Sequence, residues 1–352
     1  MRAETATGAL LILALLLGAC TAPEPQVARR DFFAMGTLVS VSLAGLPAER
    51  AEALFDAVEA DFAERHRQWH AWEESPLVRL NRALPSGDWV PLDPVLTPLM
   101  APAIRLSVQS EHLFNPAIGR LIALWGFHNE AFEPKLPDPD AIRELVAADP
   151  RMTDLELDGE RVRSRNPAVQ LDFGGFAKGY TLDEVIEALR REGAAHAVVN
   201  AGGDLRAIGR HGDRPWRIGI RHPRADRVLG MIEVSGDESV FTSGDYERGF
   251  EIDGRRYHHI IDPRTGWPAT GSQSVTVLHR SAAVADAAAT ALFVAGPRDW
   301  RRIARRMGIE AVLLIDAEGR AHLTPAMAAR VRFAEPPPPS IVEALDETPR
   351  AQ

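Results

Sequence analysis

The sequence predicts an α+β domain with mixed or antiparallel sheets and packed helices. Three observations predict it. Short apolar runs separated by turn residues crowd the stretch from 197 to 278, helical periodicity is grouped around and between them, and no internal repeat or linker divides the chain. At 352 residues, 45% hydrophobic and 25% charged, the chain has ample core for a single large domain. Its formal charge of −9 and lack of a basic run argue against nucleic acid as a partner, while a small anionic ligand held locally stays compatible.

Taken in order, residues 9–17 form an apolar run too short to span a bilayer, which reads as a secretory h-region. It leads into Leu17-Gly18-Ala19-Cys20, similar to a bacterial lipobox, with Cys20 the only cysteine and so no internal disulfide. The expected organisation is a signal peptide over 1–19, lipidation at Cys20 and a tether over 20–30. A folded domain over 31–333 and a disordered, proline-rich tail over 334–352 follow. The mature protein would then be tethered by lipid at a bacterial membrane surface and work outside the cytoplasm.

Within the domain, Leu38 to Leu43 alternates as a half-buried strand, and Pro47 opens a helix with Leu54, Val58 and Phe62 at helical spacing. Residues 69–82 read as an aromatic and polar loop, Leu96 to Ser110 as a helix and 128–140 as a surface excursion. Leu155 to Val162 predicts a hairpin turning at Asp158-Gly159, and Gly174-Gly175 leads into a helix from Phe176 to Arg191 stopped by Gly193. Strands are expected at 197–200, 205–209, 216–221, 228–234, 239–242, 256–261 and 273–278, helices at 283–295 and 298–307, and a last strand from Ala311 to Ile315.

Asp286 and Thr290, four apart in an alanine-rich helix, share one face and offer two hard oxygen donors of the kind a magnesium site uses. An acid meeting solvent or an arginine and a core threonine are the plainer readings. His259 stands one turn from Asp262, and strand alternation sends His258 the other way, which makes His259 the candidate base. Gly174-Gly175, Gly202-Gly203 and the polar turn Thr242-Ser243-Gly244-Asp245 each follow or open an element. Singly they are turns, and together they suggest a cleft lined by backbone.

Several motifs occur in one order: Met35-Gly36-Thr37, Phe114 to Gly119 with Leu124-Trp125-Gly126-Phe127, and Leu171 to Tyr180. After them come Gly202-Gly203-Asp204, Trp216 to Ile220, Thr242 to Tyr246, His259 to Gly266 and Ala285 to Leu292. That order, from about Asp31 to Ile315, resembles the ApbE family of FAD:protein FMN transferases. The resemblance implies Mg2+-dependent transfer of FMN from FAD to a threonine or serine hydroxyl of an acceptor protein, a membrane redox-complex subunit by family expectation, with AMP leaving. It further implies Mg2+ on the Ala177 carbonyl, Asp286 and Thr290, with His259 as base and Asp262 orienting it. The implied FAD contacts are Met35, Leu113, Phe114, Asn115, Gly174, Tyr180, Gly202, Gly203, Thr242, Ser243 and Asp245. Trp72 stands where the family commonly has a tyrosine on the flavin nucleotide, and Asn115 where it often has aspartate. An FAD pyrophosphatase and a non-catalytic flavin-binding lipoprotein are the alternative readings.

Overall fold

The computed structural model describes residues 27–128 and 134–345. The signal peptide, Cys20 and the first part of the tether lie outside the described residues. In chain order the elements begin with β1 (Val27–Ala34), β2 (Thr37–Ala44), α1 (Ala48–Trp69), α2 (Pro76–Ala83), β3 (Val90–Pro91), α3 (Thr97–Gln109), α4 (Gly119–Leu124) and α5 (Pro139–Ala147). The hairpin β4 (Leu155–Asp158) and β5 (Arg161–Ser164) precedes α6 (Ala177–Arg191). Next come β6 (Ala197–Ala201), β7 (Asp204–Gly209), β8 (Trp216–Arg221), β9 (Val228–Val234), β10 (Gly236–Gly244), β11 (Gly249–Ile252), β12 (Arg255–His258) and β13 (Ser272–His279). Last are α7 (Ala282–Met307), β14 (Ala311–Asp316), β15 (Ala321–Leu323), α8 (Pro325–Ala328), β16 (Arg332–Phe333) and β17 (Ser340–Val342).

Nine strands form one sheet in the order β1-β2-β6-β7-β10-β13-β14-β15-β17. Its pairings are antiparallel except β15 with β17. Both faces are covered. Val199, Phe241, Val277, Val312 and Leu314 enter a core with α1, α3, α6 and α7, while their neighbours Val198, Val240, Leu278, Leu313 and Ile315 enter a second core under β8 and β9. Successive side chains on a strand point to opposite faces, so burial on both sides requires an unbroken apolar run such as Ala311 to Ile315. A third, smaller cluster gathers Trp125, Phe127, Phe250, Tyr257 and Ile261 around the β11–β12 hairpin.

Helix α7 breaks at Gly296, whose φ of 66° and ψ of −178° are not helical, just ahead of Pro297, so the two expected helices are two segments of one element. The seam between α6 and α7 is built from small residues. A Cβ on Gly179 would stand 2.3 Å from the Ala282 carbonyl oxygen, so only glycine lets the helices meet here. Asp183 on α6 caps α7 by accepting from the Ala282 and Ala283 N–H groups at 2.7 and 3.1 Å, where the helix dipole favours an acid.

Four expectations are corrected. Residues 27–30 belong to β1, paired with β2 from Val27↔Ala44 onward, so they are sheet and not tether. The stretch 69–82 is not all loop, because Ser75 caps α2 by accepting from the Val78 N–H at 3.0 Å and Pro76 occupies its first turn. The excursion at 128–140 gives way at Pro139 to α5, with Asp138 as its cap. The described part of the expected disordered tail is ordered. β17 pairs in parallel with β15, and Glu343 donates its N–H to the Leu323 carbonyl at 2.8 Å. The four prolines before it carry the chain to the sheet edge, and though they have no N–H to give, the Pro339 carbonyl accepts the Ala321 N–H at 2.8 Å.

Candidate functional site

The end of the apolar seam between α6 and α7 is also where the chemistry collects. Asp286 on α7 is buried, and its Oδ2 accepts the Gly179 N–H at 3.0 Å. Burial pushes its pKa up to about 7, with Asp204 acting in the same direction and Lys178 and the Gly179 N–H opposing. One helical turn on, the Thr290 hydroxyl lies 3.4 Å from the Ser243 hydroxyl, and a Cβ on Gly175 would come within 3.2 Å of it. The Ala177 carbonyl, in the first turn of α6, accepts the Thr181 hydroxyl at 2.8 Å. Helix α7 thus presents the i, i+4 pair toward the glycine turn and the β10 turn, as the spacing predicts.

Asp204 ties the turns together. Its Oδ1 accepts the Thr242 N–H at 2.8 Å, and its Oδ2 pairs with the Lys178 ammonium. Burial would lower the Lys178 pKa, but Asp204, Asp286 and Glu247 outweigh it and hold it above its ordinary value. The Lys178 charge acts to lower the pKa of both His259 and Asp286.

His259 lies just past the end of β12. Its backbone N–H donates to the Arg248 carbonyl at 3.0 Å, and its Nδ1 faces the same oxygen at 3.2 Å. A carbonyl can only accept, so Nδ1 carries the proton and Nε2 keeps a free lone pair. Part of the ring meets solvent, yet its dense surroundings desolvate it and push its pKa down to about 3, with His258 adding to the effect. The ring is therefore neutral at pH 7, with Nε2 as its acceptor nitrogen. His258, the last residue of β12, is buried with its Nε2 2.9 Å from the Ala269 carbonyl; the strand expected over 256–261 ends here, so strand alternation does not extend to His259.

Asp262 does not orient His259. Its carboxylate takes the Arg264 backbone N–H at 2.9 Å and the Arg264 guanidinium at 2.8 Å, closing the turn locally, and the group that orients the imidazole is the Arg248 carbonyl. Asn115 is likewise committed to backbone. Its Nδ2 donates to the Pro150 carbonyl at 2.8 Å, and its Oδ1 accepts the Ala117 N–H at 3.1 Å. Leu113 and Phe114 are core side chains, so that segment can offer a ligand its backbone and not its rings.

The other expected contacts sit around the same turns. Met35 tips the β1–β2 hairpin with φ of 50°, its sulfur 3.8 Å from the Thr181 hydroxyl. Gly202 (φ 68°) presses against Thr37, where a Cβ would stand 2.4 Å from the hydroxyl oxygen, and Gly203 (φ 102°) has open space above it. Gly174 is exposed and donates to Asp172 Oδ1 at 2.7 Å. Tyr180 is half-buried against Trp69 and Phe176, at 5.9 and 5.6 Å between ring centroids. Thr242 exchanges a hydroxyl bond with Thr276 at 2.9 Å, and Asp245 is held bidentately by Arg224 at 2.7 and 2.6 Å. Trp72 is half-buried and tilted against His128 at 5.1 Å between ring centroids.

These turns fall inside a recognisable family pattern. A family model described as the ApbE family matches residues 35–313. The chain belongs to the ApbE family. Among ApbE relatives, the FAD:protein FMN transferase of Rhodobacter capsulatus is 42% identical over 345 residues, covering 98% of this chain and 66% of its own length. The same-named protein of Klebsiella pneumoniae is 30% identical over 331 residues, covering 88% of this chain and 94% of its own length. Solved ApbE structures superpose on most of the chain. The Thermotoga maritima ApbE protein gives a TM-score of 0.80 at 32% identity, over 87% of this chain and all (100%) of that one. The Pseudomonas stutzeri flavinyl transferase ApbE gives 0.74 at 34% identity, over 84% and 92%.

Four side chains of this ApbE site escaped the sequence reading: Asp172, Lys178, Asp204 and Arg248. Lys178 and Asp204 stood in motifs already picked out, but their pairing joins α6 to β7 across 26 residues and has no local signal. Asp172 is marked only by its place before the glycine pair. Burial raises its pKa, with the Gly174 N–H and Trp72 opposing.

Proposed function

We propose that this chain is an enzyme that transfers FMN from FAD to a threonine or serine hydroxyl of an acceptor protein, with Mg2+ as cofactor. The observation that carries the reading is the gathering of Asp286, Thr290, Ser243, Asp204 and Lys178 where α6, α7 and β10 meet, together with a His259 whose Nδ1 donates to the Arg248 carbonyl and leaves Nε2 as an acceptor. Asp286, Thr290 and the Ala177 carbonyl would hold Mg2+. They suit it as hard oxygen donors, and a buried carboxylate pushed up to about 7 is one that a cation would relieve. When bound, the ion supplies charge neutralisation at the phosphates.

The protein's own groups supply the rest. His259 Nε2 takes the proton of the acceptor hydroxyl as its oxygen bonds to the FMN phosphorus. The phosphoanhydride bond breaks, and AMP leaves with that electron pair. The glycine turns at 174–175 and 202–203 let backbone approach the dinucleotide closely. Trp72, half-buried and tilted against His128, would offer the ring face on which FAD packs.

The apolar run at 9–17 and the lipobox at Leu17 to Cys20 support a lipid-anchored, periplasmic enzyme acting on membrane redox subunits. Intact-mass analysis after incubation with FAD, Mg2+ and a periplasmic acceptor domain tests the activity. An FMN-sized increase, absent in His259→Ala, is expected. Free FMN and AMP without an adduct would point to the pyrophosphatase, and bound FAD with neither product would overturn catalysis.

A further inference from the structure

We propose that Trp125 is a positioning residue for the transfer step, holding from one side the segment that carries His259, while Phe127 holds it from the other. The motif Leu124-Trp125-Gly126-Phe127 lies at the end of α4, away from the carboxylate cluster, and the chemistry above gives it no task.

Trp125 is almost fully buried, at 2% exposure, and its Nε1–H donates to the Gly266 carbonyl at 2.8 Å. Gly266 closes the turn opened by Asp262, its own N–H reaching the Asp262 carbonyl at 2.8 Å, so this bond fixes the turn three residues past the base. At Gly266 φ is 72°, and a Cβ would stand 2.5 Å from Ile142 and 2.8 Å from Val146, so the turn is pressed onto α5 as well. The indole stacks on Tyr257 at 5.7 Å and 27° and meets Trp267 edge-on at 5.3 Å, the two rings that flank the histidine segment in sequence.

Gly126, with φ of 80°, reverses the chain so that Phe127 stacks on Trp125 at 6.2 Å and on Phe250 at 5.8 Å. The Phe127 carbonyl then accepts Arg248 Nη2 at 3.0 Å, and the Arg248 carbonyl is the group that receives the His259 N–H and Nδ1. One four-residue motif thus grips both ends of the base segment, through Gly266 and through Arg248. Its aromatic cluster is separate from the main core, which holds the middle of the segment through Ile260 and through the His258 ring against Phe293, so the two ends are what this small core positions. Displacing a base by about 1 Å costs on the order of 100-fold in rate, because proton transfer requires hydrogen-bond reach in the transition state.

The inference rests on His259 acting as the base. Its test is Trp125→Phe, which keeps the stacked ring and removes the N–H, in the full chain with saturating FAD and Mg2+ and an acceptor domain that the wild type flavinylates. AMP release reports the phosphoryl step whichever oxygen attacks. We expect AMP release to fall about 10- to 100-fold while FAD affinity stays within about twofold. Arg248→Met, which loosens the other grip without entering the aromatic core, should show the same split and stands in should Trp125→Phe fold poorly. Unchanged AMP release in both variants, or a parallel loss of FAD affinity and rate, would overturn the proposal. An active His259→Ala would instead overturn the base assignment on which it stands.

Discussion

The Gly179 N–H donates to Asp286 Oδ2 at 3.0 Å, and a Cβ added to Gly179 would lie 2.8 Å from the Asp286 Cβ. One glycine therefore both allows α6 and α7 to touch and supplies a hydrogen bond to the carboxylate at the centre of the site.

Gly179→Ala should separate these helices. The nearest obstacle is the Ala282 backbone at 2.3 Å, which has no rotamer to change. Overpacking of this kind costs about 1–3 kcal/mol, only partly offset by the roughly 1 kcal/mol gain in helix propensity. Thermal melts should show a lower midpoint, and FAD cleavage should fall with it. A raised midpoint with full activity would show that the helices do not meet here.

Proton and metal should compete at Asp286. Its pKa rises from 3.8 to about 7 on folding, so between those values the metal-free native state binds more protons than the unfolded state, and stability falls as pH rises. Titrations should find that the Mg2+ concentration for half-maximal activity climbs as pH drops below about 7. Melts of the wild type without metal should lose midpoint across the same window, and Mg2+ should restore it. Asp286→Asn should show neither the slope nor the rescue, and its AMP release should be lost.

Arg206 is a structural hub. Its guanidinium, only 6% exposed, reaches Asp183 at 2.9 Å, Glu187 at 3.0 Å and Asp237 at 3.0 Å, joining β7 to α6 and to the start of β10. Arg206→Met leaves those carboxylates facing one another. Urea unfolding should register a loss of about 3 kcal/mol, the cost of stranding buried charge. A loss below about 1 kcal/mol would mean that Arg190 and Arg280, which also reach Asp237, carry the load.

Ending the chain after Pro339 removes β17, Glu343 and Leu345. His322 is buried between two carboxylates, with Nε2 2.9 Å from Asp316 and Nδ1 2.9 Å from Glu343, and Leu345 packs on the main core. Each lost hydrogen bond is worth about 1 kcal/mol, so the thermal midpoint should drop by several degrees while FAD cleavage persists. An unchanged midpoint would restore the view of this segment as an idle tail.

What the sequence made legible follows a physical line. The i, i+4 spacing of Asp286 and Thr290 is a local periodicity and reads correctly, whereas the expected strand over 256–261 ends at His258, so alternation does not decide where His259 points. Asp262 was misassigned because one turn of sequence separation looks like contact, whereas Arg264, two residues away, satisfies it first. Arg248 was hidden because its carbonyl meets His259 only through the register of β11 against β12. Ser75-Pro76 is a helix-start signal that aromatic neighbours obscured, and proline content concealed β17. Gly179 was recorded as part of a motif, but its closeness to Ala282 depends on how two helices cross, which no short window contains.

The described chain begins in β1 and ends just past β17, and these are the two outermost strands of the nine-stranded sheet. The ends of the described chain are therefore handles on opposite margins of one fabric. Tension applied between them would load marginal strand pairs before the central ones, unzipping the sheet from its borders inward. The seam between α6 and α7 packs against the middle strands, so the reaction centre would be the last part of the sheet to feel such a pull.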